Sequence, residues 1–398
     1  MPDHKRFTPG SRSEFRSRDV LRLSAQIIEE SSREHPADAI MRETFKRLRV
    51  LNADETHQIS DAVFAYFRWR GWLNNERGLP ADIEQALELS ERFQENSAAF
   101  AIEDLRAKAV PEWVANEVLA EDKWVKALQR EPRLWLRARR GQGMALVQKL
   151  EDARVGDLPD SVHYFGKEDL FRTPEFHAGE FELQDVSSQA VGFICDPQPG
   201  ETWWDACSGE GGKLLHLSDL MQNKGLIWAS DRAEWRLQKL KRRTARAKVF
   251  NYRAALWDGG KKLPTKTKFD GVLVDAPCSG VGTWQRNPHA RWTTTPEDIK
   301  ELSELQKQLL ANVAGSVKPG GKLIYAVCTL TKSETTDVVE AFENQFKDFE
   351  PLDVANPLNP ELPPTPRVWI WPQDSDGNGM FVAAWKKIGG MSSTSPKL

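Results

Sequence analysis

Gly271-Val272-Leu273-Val274-Asp275-Ala276-Pro277-Cys278 is a β-prone apolar run that halts at an acid, a proline and a thiol. Fifty residues on, Leu323-Ile324-Tyr325-Ala326-Val327-Cys328 repeats the pattern. Runs this short, apolar throughout and bounded by turn residues, read as strands covered on both faces, the habit of parallel sheets. Each cysteine then stands at the carboxyl end of a strand, where open α/β sheets gather their ligands and chemistry.

Upstream, Thr202-Trp203-Trp204-Asp205 reads as a first strand. It enters the turn Asp205-Ala206-Cys207-Ser208-Gly209-Glu210-Gly211-Gly212-Lys213 and then a helix through 215–221. Leu226 to Asp231 is a second strand, a basic helix follows, and Lys248-Val249-Phe250-Asn251 is a third. After the fourth strand, at 271–275, a long helix runs from Pro296 to Val317 and is stopped by Pro319-Gly320-Gly321 ahead of the fifth. A hairpin is expected from Arg367–Trp371 and Met380–Trp385 around Asp374–Gly379. This βαβ order predicts an α/β domain over 183–388 with a doubly wound, mostly parallel sheet.

Residues 18–108 read as an all-α bundle. Val20, Leu23, Ile27 and Ile28 mark one helical face, and Ile59, Ala62, Val63, Tyr66 and Phe67 another, capped by Asp54 or Thr56. Residues 109–182 read as a small α+β linker unit, with Leu134–Ala138 as a strand and Ala145–Leu150 as a helix. The polar ends, 1–17 and 389–398, are expected to be disordered.

At 398 residues the chain is long enough for two or three domains, and 40% apolar content can fill their cores. No run approaches a membrane span and the start has no apolar segment, so a soluble, cytoplasmic protein is expected. The four cysteines, at 195, 207, 278 and 328, form no C-x-x-C pair, which argues against zinc and against a disulfide scaffold. No metal is expected. A net charge of −3 is not that of a strongly basic nucleic-acid binder. Two basic stretches stand out, however: 232–248, and 123–140 with Arg137, Arg139 and Arg140. Such patches can hold phosphates whatever the total charge, or can be ordinary solvated helix faces.

The glycine turn suits a cofactor. Gly209, Gly211 and Gly212 allow a tight turn and a close backbone approach, and the following helix offers free amides. Asp231, at the end of the second strand, is placed to accept bonds from a ribose diol, and Asp258 either borders an adenine or serves its own turn. The turn is neither Gly-x-Gly-x-x-Gly nor a phosphate-binding P-loop, so S-adenosylmethionine fits better than a dinucleotide or a nucleoside triphosphate. A cofactor turn with two strand-end thiols suggests an enzyme that uses sulfur as a nucleophile. Cys195 reads as core, and Cys207 as lining of the cofactor turn.

With these residues in hand, the chain resembles the RNA cytosine-C5 methyltransferases, above all the bacterial 16S rRNA enzymes and their Nop2/Sun relatives. The likeness is best over 181–387. It rests on Asp275-Ala276-Pro277-Cys278-Ser279-Gly280-Val281-Gly282-Thr283 with Arg286, Asn287, Pro288, Arg291 and Trp292, on Cys328 with Ser333-Glu334, and on Asp376-Gly377-Asn378-Gly379-Met380-Phe381. The helical segment is similar in pattern to a NusB-like RNA-binding domain. The chain departs from the family in two places. Ser208-Gly209-Glu210 stands where Ala-Ala-Pro is usual, and Val327-Cys328-Thr329 where the nucleophile is normally flanked by Thr and Ser.

The resemblance implies a Rossmann-like class I fold, S-adenosylmethionine bound by Ala206 to Lys213 with Asp231, Asp258 and Asp275, and an RNA substrate: rRNA first, tRNA as the other candidate. It assigns the nucleophile to Cys328, a bond to the base edge to Asp275, and release of the adduct to Cys278. Arg286, His289, Arg291 and Trp292 are candidates to line the path of the flipped base, and Trp284 or Trp292 to stack on RNA. Three rivals remain: a DNA cytosine methyltransferase with Cys278 as nucleophile, a non-catalytic RNA-binding or ribosome assembly factor, and a small-molecule methyltransferase.

Overall fold

The computed structural model describes residues 17–389, apart from 49, 50, 75 and 120. The two polar ends lie outside the described residues, but for Ser17 and Gly389. The chain divides into two compact units, Met1–Glu131 with Trp284–Thr294, and Pro132–Thr283 with Thr295–Leu398.

The first unit is helical among its described residues. Its core joins Leu23, Ile27, Met41, Ile59, Val63, Phe67 and Ile83, so the two apolar faces marked in the sequence meet. The helix Ala53–Trp69 is capped by Asn52, whose side chain accepts from the Glu55 amide while Glu55 answers at the Asn52 amide. This reciprocal box satisfies two orphan amides at once and displaces Asp54 and Thr56 as the cap. The unit runs on through helices Ile102–Lys108 and Asp122–Ala127, so its boundary falls at Glu131 rather than 108.

Residues 284–294 belong to this unit and help build its core. Trp284 is fully buried, edge-on to Trp113 and stacked near Trp124. Arg291 is fully buried, and its guanidinium donates to the carbonyls of Arg68, Ala109, Leu128 and Trp284. Burial pulls its pKa down to about 9. His289 packs edge-on against Phe67, and the Trp292 indole donates to the Phe67 carbonyl. These side chains, expected along a base path or stacked on RNA, are instead packing and bonding groups of the helical unit. Trp284 in particular has no exposed face to stack with.

The second unit holds two sheets. The smaller comprises β1 (Leu134–Ala138), β2 (Ala153–Val155), β3 (Ser161–Tyr164) and β4 (Phe181–Leu183), antiparallel in the order β2-β3-β1-β4. Of these only β1 was foreseen. Arg137, the basic residue of β1, does not face solvent. Arg137 and Arg139 both pair with the buried Asp219, and Arg137 also donates to Gln184. These two members of the 123–140 stretch are therefore structural.

The larger sheet comprises β5 (Thr202–Asp205), β6 (Leu226–Asp231), β7 (Tyr252–Leu256), β8 (Phe269–Asp275), β9 (Val317–Val327), β10 (Phe349–Pro351), β11 (Arg367–Ile370) and β12 (Met380–Lys387). Its order is β10-β12-β9-β8-β5-β6-β7, with β11 on β12. The five from β9 to β7 are parallel, and β12 runs antiparallel to β9. This is the α/β doubly wound class expected. Side chains alternate between faces as the strand period requires. Leu273, Ile324 and Ala326 join one core, and Val272, Val274, Leu323, Tyr325 and Val327 the other.

Two elements differ from expectation. The third strand is Tyr252–Leu256, not 248–251. Lys248 sits at φ 55°, and the amides of Lys248 and Val249 bond back to Ala245 and Thr244, so this stretch closes the preceding helix. Pro319-Gly320-Gly321 does not stop a helix. The helix Pro296–Ala314 has already ended, and the three residues lie inside β9, whose register against β8 shifts between Phe269 and Gly271. A bulge is where a strand tolerates proline and glycine.

Candidate active site

Strand order reverses between β5 and β8, and such a switch point opens a crevice at the carboxyl ends of the strands. The glycine turn follows β5 into this crevice. Asp231 organises the turn directly, because its carboxylate accepts from the Gly209 amide at 3.0 Å and the Ala233 amide at 2.8 Å. Ser208 bonds through its amide to the Ser230 carbonyl at 2.8 Å. Gly211 has φ 86°, and a Cβ there would come within 2.8 Å of Leu240, so no other residue fits. A Cβ on Gly209 or Gly212 would meet nothing within 4 Å, which leaves open space over the turn.

Beside that space Ala206, Cys207, Asp231, Trp257, Asp258 and Pro277 line one cleft. An apolar and aromatic wall between two carboxylates suits an adenosine, with Asp231 at the ribose end. Asp258 also accepts from the Gly260 amide at 2.8 Å, so it serves its own turn as well. Glu210 does not enter this cleft; its carboxylate pairs with Lys239 at 2.7 Å. The replacement of the family's usual Ala-Ala-Pro therefore ties the turn to the helix Glu234–Arg246 and leaves the cleft uncharged at that point.

Sequence reasoning overlooked Asp205. It is fully buried, and among the described residues neither carboxylate oxygen has a partner. Burial, and next the charge of Asp275, raise its pKa to about 8. An orphaned acid under the turn suits a cationic group nearby, as the ammonium and sulfonium of S-adenosylmethionine would provide.

The thiols meet because β8 and β9 are neighbours with Asp275 opposite Ala326, so the chains leave the sheet side by side. Cys278 Sγ and Cys328 Sγ lie 3.2 Å apart, both half-buried. Lys213 Nζ donates to Asp275 Oδ2 at 2.7 Å. Burial opposes the ammonium, but the charge and hydrogen bond of Asp275 outweigh it, and the lysine pKa rises. The hydrogen bond from Cys278 and the nearby Lys213 hold Cys328 below the usual thiol range. The same bond, with burial and Glu334, pushes Cys278 well above it. The two thiols are thus shifted in opposite directions, Cys328 down and Cys278 up.

Glu334 is the second residue the sequence reading gave no role. It is fully buried and accepts from the Ser279 amide at 2.8 Å, the Ser279 hydroxyl, Thr329 at 3.1 Å, Thr331 at 2.8 Å and Gln306 at 3.0 Å. One carboxylate thus fastens the residue after Cys278 to the residue after Cys328. Gly282 completes the frame, donating to the Cys328 carbonyl at 3.1 Å while its own carbonyl accepts from Gly379 at 2.7 Å. Among the described residues, no group of three or more His, Cys, Asp or Glu is placed to hold a metal ion.

The fold is a Rossmann-like α/β sheet with two cysteines at adjacent strand ends. A profile of the family described as 16S rRNA methyltransferase RsmB/F matches residues 193–386. The chain is 37% identical over 255 residues to a probable ribosomal RNA small subunit methyltransferase B of Synechocystis, covering 62% of this chain and 56% of that protein. It is 30% identical over 318 residues to the ribosomal RNA small subunit methyltransferase B of Enterobacter sp., covering 76% of this chain and 72% of that one. The crystal structure of PH0851 superimposes with a TM-score of 0.75 at 22% identity, over 92% of this chain and 98% of that one, a likeness of fold. The chain belongs to the RsmB/F family. It spans little more than half the length of the first of these relatives.

Proposed function

We propose that this protein transfers a methyl group to C5 of a cytosine in RNA, and that the RNA is ribosomal. The observation that carries this reading is the thiol pair, 3.2 Å apart beside the Lys213–Asp275 pair. Cytosine C5 is a weak nucleophile. Addition of the Cys328 thiolate at C6 forms a C–S bond and makes C5 an enamine carbon able to take a methyl group. S-adenosylmethionine, bound on the glycine turn, supplies that group. Asp275, oriented by Lys213, accepts from the exocyclic amine of the base, and from N3 once the ring takes a proton there. After transfer a water takes the C5 proton, the C5–H electron pair re-forms the C5–C6 double bond, and the C–S bond breaks so that the Cys328 thiolate departs from C6, with Cys278 assisting.

The cofactor residues are Ala206, Cys207, Asp231 and Asp258 along the cleft, with Ser208 to Lys213 as the turn. The helical unit and the small sheet serve RNA. No helix among the described residues is long and apolar enough to cross a membrane, and we place the protein in the cytoplasm with ribosomal RNA. The test is to incubate the protein with S-adenosylmethionine carrying a labelled methyl group and with unmodified 16S rRNA, then digest to nucleosides. Labelled 5-methylcytidine is expected. Binding of RNA with no labelled nucleoside would leave an assembly factor, and label on DNA alone a DNA enzyme.

A further inference from the structure

The sequence offered two basic stretches, and the structure separates them. Arg137 and Arg139 are engaged by the buried Asp219, whereas the helix Glu234–Arg246 keeps an exposed cationic face. Trp235, Lys239, Arg242 and Arg246 recur at helical spacing and so share that face, which rises about 16 Å at 1.5 Å per residue.

The face is interleaved with aromatic rings. Trp235 is 53% exposed, with Arg236 at 5.2 Å and Lys239 at 4.9 Å from its ring centre. At the other end Arg246 lies 3.8 Å over Phe176, and Phe176 meets Phe171 edge-on at 5.0 Å. Phe171 is itself 57% exposed. Between these ends lies a cavity of about 390 Å³, walled by Phe171, Phe176 and Leu183 on one side and by Lys239, Arg242 and Arg243 on the other.

The internal acids account for part of this charge only. Glu182 takes Arg243 and Arg246, and Glu210 takes Lys239. Arg242 and Lys241 are exposed and in no ion pair among the described residues. Two exposed aromatic rings, Trp235 with cations at its ring and Phe171 lining the same cavity as Arg242 and Arg243, match the two parts of a nucleotide. Bases stack on the rings and phosphates lie on the cations.

We propose that this face of the helix Glu234–Arg246, with Phe171, is a docking groove for single-stranded RNA, apart from the two thiols. The proposal rests on the RNA reading above and says where on the second unit the strand is held. Phe171 and Trp235 act as stacking platforms, and Arg242 as a phosphate contact.

The experiment compares full-length protein with Phe171→Ala, Trp235→Ala and Arg242→Gln, singly and combined. Binding of a fluorescein-labelled, cytosine-rich single-stranded RNA is followed by anisotropy across a salt series, and S-adenosylmethionine affinity by calorimetry. None of the three side chains lies in the cofactor cleft or at the thiols. The expected result is about tenfold weaker RNA binding for each aromatic variant. The log–log salt slope should flatten by about 0.7 for Arg242→Gln, with cofactor affinity unchanged. If the wild type binds RNA and the combined variant binds it equally well, the groove is wrong and the RNA reading stands. If the wild type binds no RNA, both fall. An equal loss of cofactor affinity would overturn the proposal by showing that these residues support the cofactor turn.

Discussion

Asp205 is an acid held where water cannot reach it, and burial raises its pKa to about 8. The native state therefore holds its proton more tightly than the unfolded chain does. Its contribution to stability is full below the ordinary carboxyl range near 4 and is lost as the pH climbs through about 8. Asp205→Asn should remove that loss. Urea midpoints taken at about pH 5 and about pH 9 should fall for the wild type and change less for the variant. Equal changes in both would mean that Asp205 is ionised and paired in solution. The thiols obey the same electrostatics with opposite outcomes. Cys328 is lowered by its neighbour and by Lys213, while Cys195, buried in apolar surroundings, is pushed up and has no reactive role.

At the level of elements, the carboxyl ends of β8 and β9 matter most, and Glu334 joins them. Glu334→Ala would leave Ser279, Thr329, Thr331 and Gln306 donors unsatisfied in a buried site. The expected cost is about 3 kcal/mol or more of stability, read from urea denaturation, with Glu334→Gln losing less. A neutral Glu334→Ala would show that water replaces the carboxylate. The strands carrying Asp275, Cys278 and Cys328 were legible because runs buried on both faces have a pattern that few other elements share. Glu334 was not legible as a fastener, since its partners Ser279 and Gln306 lie 55 and 28 positions away. The β7 strand was missed for a related reason. Tyr252–Leu256 is a half-exposed edge without strong alternation, while Val249-Phe250 beside it looks more like a strand, although Phe250 is 76% exposed. Likewise the role of Arg137 depends on Asp219, 82 positions on.

For the molecule as a whole, the division into units differs from a linear succession of domains. The helical unit closes on Trp284, Arg291 and Trp292, which the chain supplies from just beyond the Cys278 loop. No local reading of 284–294 could reveal this, because its partners lie between Phe67 and Leu128. A fragment starting at residue 109 should therefore fold poorly, leaving His289 without the Phe67 ring, the Trp292 indole without the Phe67 carbonyl and the Arg291 guanidinium without the Arg68 carbonyl. Raised binding of an apolar dye and loss of a cooperative melt are the expected signs. A soluble, cooperatively melting fragment would mean that 284–294 repacks on its own.

The central claim is that Cys328 attacks and Cys278 releases. Its most direct test is a denaturing gel of Cys278→Ala and Cys328→Ala after incubation with S-adenosylmethionine and labelled substrate RNA. The account predicts a covalent protein–RNA band for Cys278→Ala and none for Cys328→Ala. A band with Cys328→Ala and none with Cys278→Ala would contradict it and make Cys278 the nucleophile.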